Sequence, residues 1–129
     1  MSIENAISRE ILDACIRIHR ETGPGLLESV YQHLLANELE NRKLQLRSQV
    51  AVPIAYGGQR FEVGFRADLI VENRVLVEIK SVENVKPVHK KQVLTYARLS
   101  ALRLGLLVNF GAPRMLEGFF RVVNGLPDD

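Results

Sequence analysis

The stretch that most constrains this chain is Val75-Leu76-Val77-Glu78-Ile79-Lys80-Ser81, an apolar run carrying two charges. Side chains on a strand alternate between faces, so a strand here sends Glu78 and Lys80 one way and Val77 and Ile79 the other. Two residues of strand separate their Cα atoms by roughly 6.6 Å. At that spacing a carboxylate can hold a metal while an ammonium reaches the water bound to it. Upstream, Ala67-Asp68-Leu69-Ile70-Val71 reads as a second apolar strand and offers a second carboxylate. Register decides whether the two meet. A three-residue loop, Glu72 to Arg74, sets Asp68 opposite Glu78 on a shared face, whereas a two-residue loop sets it opposite Ile79. The pattern therefore requires an odd-length turn, or a bulge near Asp68.

The rest of the chain supplies elements to surround this pair. Residues 3–21 read as a helix, with Ile7, Ile11, Cys15 and Ile18 at spacings of three and four and Ser2 or Asn5 as its cap. Gly23-Pro24-Gly25 ends it. A second, antiparallel helix over 26–42 buries a stripe of Leu27, Val30, Tyr31, Leu34, Leu35 and Leu39. Leu46, Val50, Val52 and Ile54 begin a strand, Tyr56-Gly57-Gly58-Gln59 turns it, and residues 60–71 return as one long strand or two, with Gly64 a bulge candidate. Pro87 opens a third helix over 88–102 with Val93, Leu94, Ala97 and Ala101 on its apolar face. Residues 105–110 form a central strand and 118–123 a last one. The order ααβββαββ gives an α/β (α+β) class, one central mixed β-sheet flanked by helices. We expect a single domain over residues 1–125 and a short frayed tail over 126–129.

Composition narrows the chemistry. With 129 residues the chain suits one domain with a real core. One cysteine, Cys15, excludes an internal disulfide and a cysteine-ligated zinc or iron–sulfur site within one chain. No apolar run approaches the ~20 residues of a membrane span, and MSIENAISRE does not read as a signal peptide, so a cytoplasmic location is expected. The formal net charge is only +2, so any basic surface must be local.

Asp68 and Glu78 suit Mg²⁺, which takes one or two carboxylates and keeps several waters. A pair of carboxylates solvated on a half-exposed sheet would need less apolar flanks. Lys80 can polarise an attacking water or stabilise developing phosphoryl charge, or simply pair with Glu78 or guard an edge strand. Glu28, in the first turn of the second helix, reads by itself as a complement to the helix dipole. Gln92 and Tyr96 lie four apart on one helix face. Lys86, His89, Lys90, Lys91 and Arg98 make the start of that helix basic, as backbone phosphates would require or as a solvated face would allow. No serine or cysteine nucleophile with a histidine partner is apparent, and no phosphate-cradling glycine loop.

Taken together, Asp68 and Glu78-Ile79-Lys80 resemble the signature of the PD-(D/E)XK nuclease superfamily. Gln92-Val93-Leu94-Thr95-Tyr96 is similar to the Gln-x-x-x-Tyr element of its RecB-like exonuclease branch. Gly25-Leu26-Leu27-Glu28-Ser29-Val30-Tyr31 matches the pattern that names the GxxExxY family. The resemblance implies a restriction-endonuclease-like core and a metal-dependent nuclease hydrolysing phosphodiester bonds, in DNA first of all. Asp68 and Glu78 would bind Mg²⁺ or Mn²⁺, with Glu28 completing the metal shell. Lys80 would act on the nucleophilic water, and Gln92 and Tyr96 would support Lys80 or touch the DNA. Ala67 stands where a proline often does. An inactive nucleic-acid-binding or protein-interaction module on the same fold is the alternative, and a homodimer or a larger DNA-processing complex would extend the reach of so small a chain.

Overall fold

A computed structural model describes residues 2–127. The elements follow the expected order: α1 (Ile3–Thr22), α2 (Glu28–Asn41), β1 (Leu46–Tyr56), β2 (Gln59–Val71), β3 (Val75–Lys80), α3 (Pro87–Leu99), β4 (Leu104–Asn109) and β5 (Phe119–Val123), with a 3₁₀ turn at Met115–Glu117. Sheet order equals chain order, β1-β2-β3-β4-β5. All neighbours are antiparallel except β3 and β4, which run parallel because α3 carries the chain back between them. This is the mixed sheet flanked by helices that the pattern implied.

α1 and α2 cover one face. Ile7, Ile11, Ala14, Cys15 and Ile18 of α1 meet Val75, Val77 and Ile79 of β3 and Leu104, Leu106 and Val108 of β4. α3 covers the other, where Val93 meets Leu76, Ile70 and Leu107. Gly105 lets α3 lie close on β4, since a Cβ there would stand 2.6 Å from Val93 Cγ1. No described helix is long and apolar enough to cross a membrane.

Three local expectations change, and the strand after the Gly57-Gly58 turn takes the first of its two expected forms. The buried stripe of α2 narrows to Tyr31, Leu35 and Leu39, spaced by four. Val30 and Leu34 are exposed and Leu27, outside the helix as its N-cap, is 71% exposed, because no described element covers that flank. α3 stops at Leu99, with Ala101 exposed in the left-handed region (φ 57°). There Leu102 N–H bonds Ala97 O and Ala101 N–H bonds Arg98 O, the pattern that closes helices on a left-handed residue. Residues 59–71 form one continuous strand. Finally, Leu126, expected in the frayed tail, is buried with the core residues on the α1/α2 side of the sheet. Asp128 and Asp129 lie outside the described residues.

The β1–β2 ribbon positions the site. Its register is the same on both sides of Gln49 and Asp68, from Leu46↔Val71 to Val52↔Phe65. Yet its faces exchange there. Leu46, Leu69 and Val71 join the α1/α2 side, whereas Val50, Val52, Phe65 and Ala67 join the α3 side. Gln49 has φ 50°, so the ribbon turns over at this pair. Beyond it, Ile54 pairs with Phe61, two residues out of the earlier register, and Gly64 sits in the extra stretch. The arm ends at Gly57 and Gly58, both at positive φ, with Tyr56 85% and Phe61 52% exposed.

Candidate active site

The three residues Glu72, Asn73 and Arg74 connect β2 to β3, as the carboxylate pairing required. Arg74 N–H closes the turn on Val71 O at 3.0 Å. Glu72, left-handed at φ 54°, is held by Gln45, whose N–H donates to its Oε2 and whose carbonyl accepts its N–H. Pairing then runs from Val71↔Val75 to Leu69↔Val77 and stops. Asp68 is the next residue on β2 and Glu78 the next on β3, so both stand where the strands part.

At this fork the carboxylates replace ladder bonds. Asp68 N–H donates to Glu78 Oε1 (3.3 Å) and Ile79 N–H donates to Asp68 Oδ2 (2.8 Å). Glu78 is 9% exposed. Burial, then the Asp68 charge and hydrogen bond, push its carboxyl up to about 9, against a backbone bond from Asp68 and the Lys80 charge. A carboxyl held protonated this way needs a positive charge to ionise. Among the described residues neither Asp68 nor Glu78 forms an ion pair. Lys80 acts on Glu78 through its charge, from a half-buried position at the end of β3.

Tyr96 of α3 stacks on Phe65 of β2 at 3.9 Å between ring centroids, and Gln92 Nε2 donates to its hydroxyl at 2.8 Å. Burial raises the Tyr96 phenol first, and the charges of Glu78 and Asp68 raise it further. Gln92 and Tyr96 thus act as one unit.

Glu28 reaches the site from the other side of the sheet. Its Oε2 accepts Ser81 N–H (3.2 Å), and the Ser81 hydroxyl donates to Leu26 O (2.7 Å). Tyr31 explains the neighbouring glycines. Its hydroxyl donates to Gly23 O and accepts Leu26 N–H, latching the turn in which Gly23 and Gly25 have positive φ. On the far side of β3, the buried Asn109 amide grips both polar groups of the Val82 peptide. Lys80 is therefore followed by a segment fixed on two sides.

The structure does not gather the three carboxylates into one cluster. Among the described residues no group of three or more His, Cys, Asp or Glu stands as a metal cage, because Glu28 is engaged at Ser81. Asp68 and Glu78 alone form a hard-oxygen pair of the kind that suits a divalent cation retaining several waters. The basic residues also divide. His89 Nδ1 accepts Lys86 N–H, which makes it a cap of α3. Lys90 lies over the Phe120 ring of β5 at 4.1 Å, nearly opposite Gln92 around the helix. Lys86 and Lys91 are exposed.

One neighbour of the site carries no signal in the sequence. Gln49 Nε2 donates to Asp68 Oδ1 (3.2 Å) and to Gln32 Oε1 of α2 (2.8 Å). Only its left-handed backbone, a cost of about 1–2 kcal/mol for a non-glycine residue, marks it out.

Comparison with known proteins gives three findings. Residues 5–122 match the family described as the PD-(D/E)XK nuclease superfamily. A solved structure titled "Crystal structure of SSO0001" is similar at 19% identity with a TM-score of 0.49, the match covering 98% of this chain and 80% of that one. No curated protein matches.

Proposed function

The chain belongs to the PD-(D/E)XK nuclease superfamily, and from that premise we propose that it is a divalent-metal-dependent nuclease hydrolysing phosphodiester bonds in DNA. One observation carries the reading: two carboxylates meet at a strand fork, one of them buried and, among the described residues, in no ion pair, with a lysine two residues on. Asp68 and Glu78 would hold Mg²⁺ or Mn²⁺, which when bound supplies Lewis-acid polarisation of a phosphoryl oxygen. Lys80 orients the attacking water and donates to charge developing on the phosphate. Tyr96, aligned by Gln92, offers a hydroxyl at the edge of the same space. Glu28 keeps the segment after Lys80 in place through Ser81, and joins the metal shell only if that bond is exchanged. His89, Lys86 and Lys91 supply phosphate contacts beside α3; Lys90 does so from the Phe120 side.

Placement in the GxxExxY group rests on the Gly25, Glu28 and Tyr31 spacing, with Tyr31 latching the turn and Glu28 holding Ser81, and placement in the RecB-like branch on the Gln92–Tyr96 bond. A cytoplasmic location fits the free, buried Cys15. A homodimer, or a place in a larger DNA-processing complex, is part of the same proposal.

A second reading, an inactive nucleic-acid-binding or interaction module, is favoured by the hydrogen bonds that tie all three carboxylates to backbone N–H groups. The two separate on labelled single-stranded and duplex DNA incubated with Mg²⁺, Mn²⁺ or chelator. The nuclease cuts only with metal, and Glu78→Ala loses cleavage by orders of magnitude while staying folded. Unchanged cleavage by that variant rejects the assignment. Binding without cleavage, indifferent to metal and weakening with salt, selects the module.

A further inference from the structure

We infer that Gln49 is a positioning residue of this site, holding the Asp68 carboxylate in one orientation and coupling it to α2. The inference rests on the nuclease reading and adds to it a residue outside the carboxylate and lysine set. Both Asp68 oxygens are held: Oδ2 by Ile79 N–H on β3, Oδ1 by the Gln49 amide on β1. Removing the amide releases Oδ1 and leaves the carboxylate to Ile79 N–H and its hydrogen bond with Glu78, both on β3. The same amide nitrogen donates to Gln32, which lies one helical turn after Glu28 and so on the same face of α2. That face therefore meets the fork twice, through Glu28 at the end of β3 and through Gln32 and Gln49 at Asp68.

The backbone supports a dedicated role. A ribbon that only had to turn over would place glycine or asparagine at φ 50°, both of which enter the left-handed region at little cost. Glutamine fits that backbone worse and supplies what glycine lacks, an amide long enough to reach two partners. Strain of this kind persists where surrounding contacts fix it, and here the contacts are Asp68 and Gln32.

The test compares the parent with Gln49→Gly, which removes the amide and relieves the backbone, and with Gln32→Ala, which removes only the tie to α2. Three quantities are read: thermal midpoint, Mn²⁺ affinity by calorimetry, and kcat and KM on labelled DNA. For Gln49→Gly we expect a midpoint no lower than the parent's, Mn²⁺ binding weaker on the order of 10-fold, and a comparable fall in kcat with KM little changed. Gln32→Ala should shift both in the same direction by less, since Gln49 still reaches Asp68. A purely structural Gln49 would alter the midpoint and leave Mn²⁺ affinity and kcat as they were, and that result overturns the inference. Should the parent bind Mn²⁺ yet cut nothing, the nuclease reading fails alone and the Mn²⁺ affinities still decide Gln49. A parent that neither binds Mn²⁺ nor cuts overturns both.

Discussion

Burial sets Glu78 against its own charge, and that conflict has a measurable sign. In the unfolded chain its carboxyl titrates at the ordinary 4.5, in the fold at about 9. Between those values the folded state holds the extra proton, so stability falls as pH rises across the window and levels off beyond it. Glu78→Gln keeps the shape and cannot ionise. In chelator its melting temperature should exceed the parent's by a margin that widens from pH 5 to pH 9; a constant margin would show that Glu78 is not held protonated. Tyr96→Phe keeps the stack on Phe65 and loses the hydroxyl that Gln92 meets, so it should melt within about 1 kcal/mol of the parent while slowing cleavage. Alternation made Glu78 and Lys80 legible as a pair, and counting the loop made Asp68 legible as their neighbour. Gln49 was not legible, since its role depends on a left-handed backbone and on a residue nineteen positions away.

Helix ends were read less well than helix interiors, and the cause is specific. α2 and α3 both close on left-handed residues that are not glycine, Lys43 (φ 68°) and Ala101 (φ 57°). Leu44 N–H bonds Leu39 O and Lys43 N–H bonds Glu40 O, the same pattern as at Ala101. A stop without glycine leaves no mark in composition, so apolar periodicity carried the expected α3 past its end. The mismatch predicts a gain: Ala101→Gly should stabilise the protein by about 1 kcal/mol, seen as a higher urea midpoint with unchanged slope. A loss would mean that the Ala101 methyl makes contacts its exposure does not suggest. The α2 stripe failed for another reason. Leu27, Val30 and Leu34 have the right spacing, but spacing does not say which neighbouring row another element will cover.

Across the whole molecule, the net charge of +2 concealed its own distribution. Lys43, Arg47, Arg60 and Arg66 on and before the β1–β2 arm are accompanied by one acid, Glu62, which makes this segment one of the locally basic stretches of the chain. If nucleic acid is the substrate, replacing Arg60 and Arg66 with Gln should flatten the salt dependence of binding by about one unit of slope for each phosphate no longer neutralised. An unaltered slope would place the phosphate-binding cations elsewhere, with α3 the first region to examine. Mixed-sheet class and element order were legible, and the parallel β3–β4 step is what a helix between two apolar strands produces. The exchange of faces along the ribbon was not, since it alters no register and inserts no residue.

Sheet order that equals chain order has a consequence for synthesis. Each strand finds its partner as soon as the next segment appears, but α1 does not. Ile7, Ile11 and Cys15 face β3 and β4, and β4 ends only at Asn109. At translation speeds of about 5–20 residues per second, α1 waits several seconds on the ribosome with its apolar side uncovered except by α2. A holdase that recognises short amphipathic helices would have its best opportunity in that interval, and release would coincide with the emergence of β4.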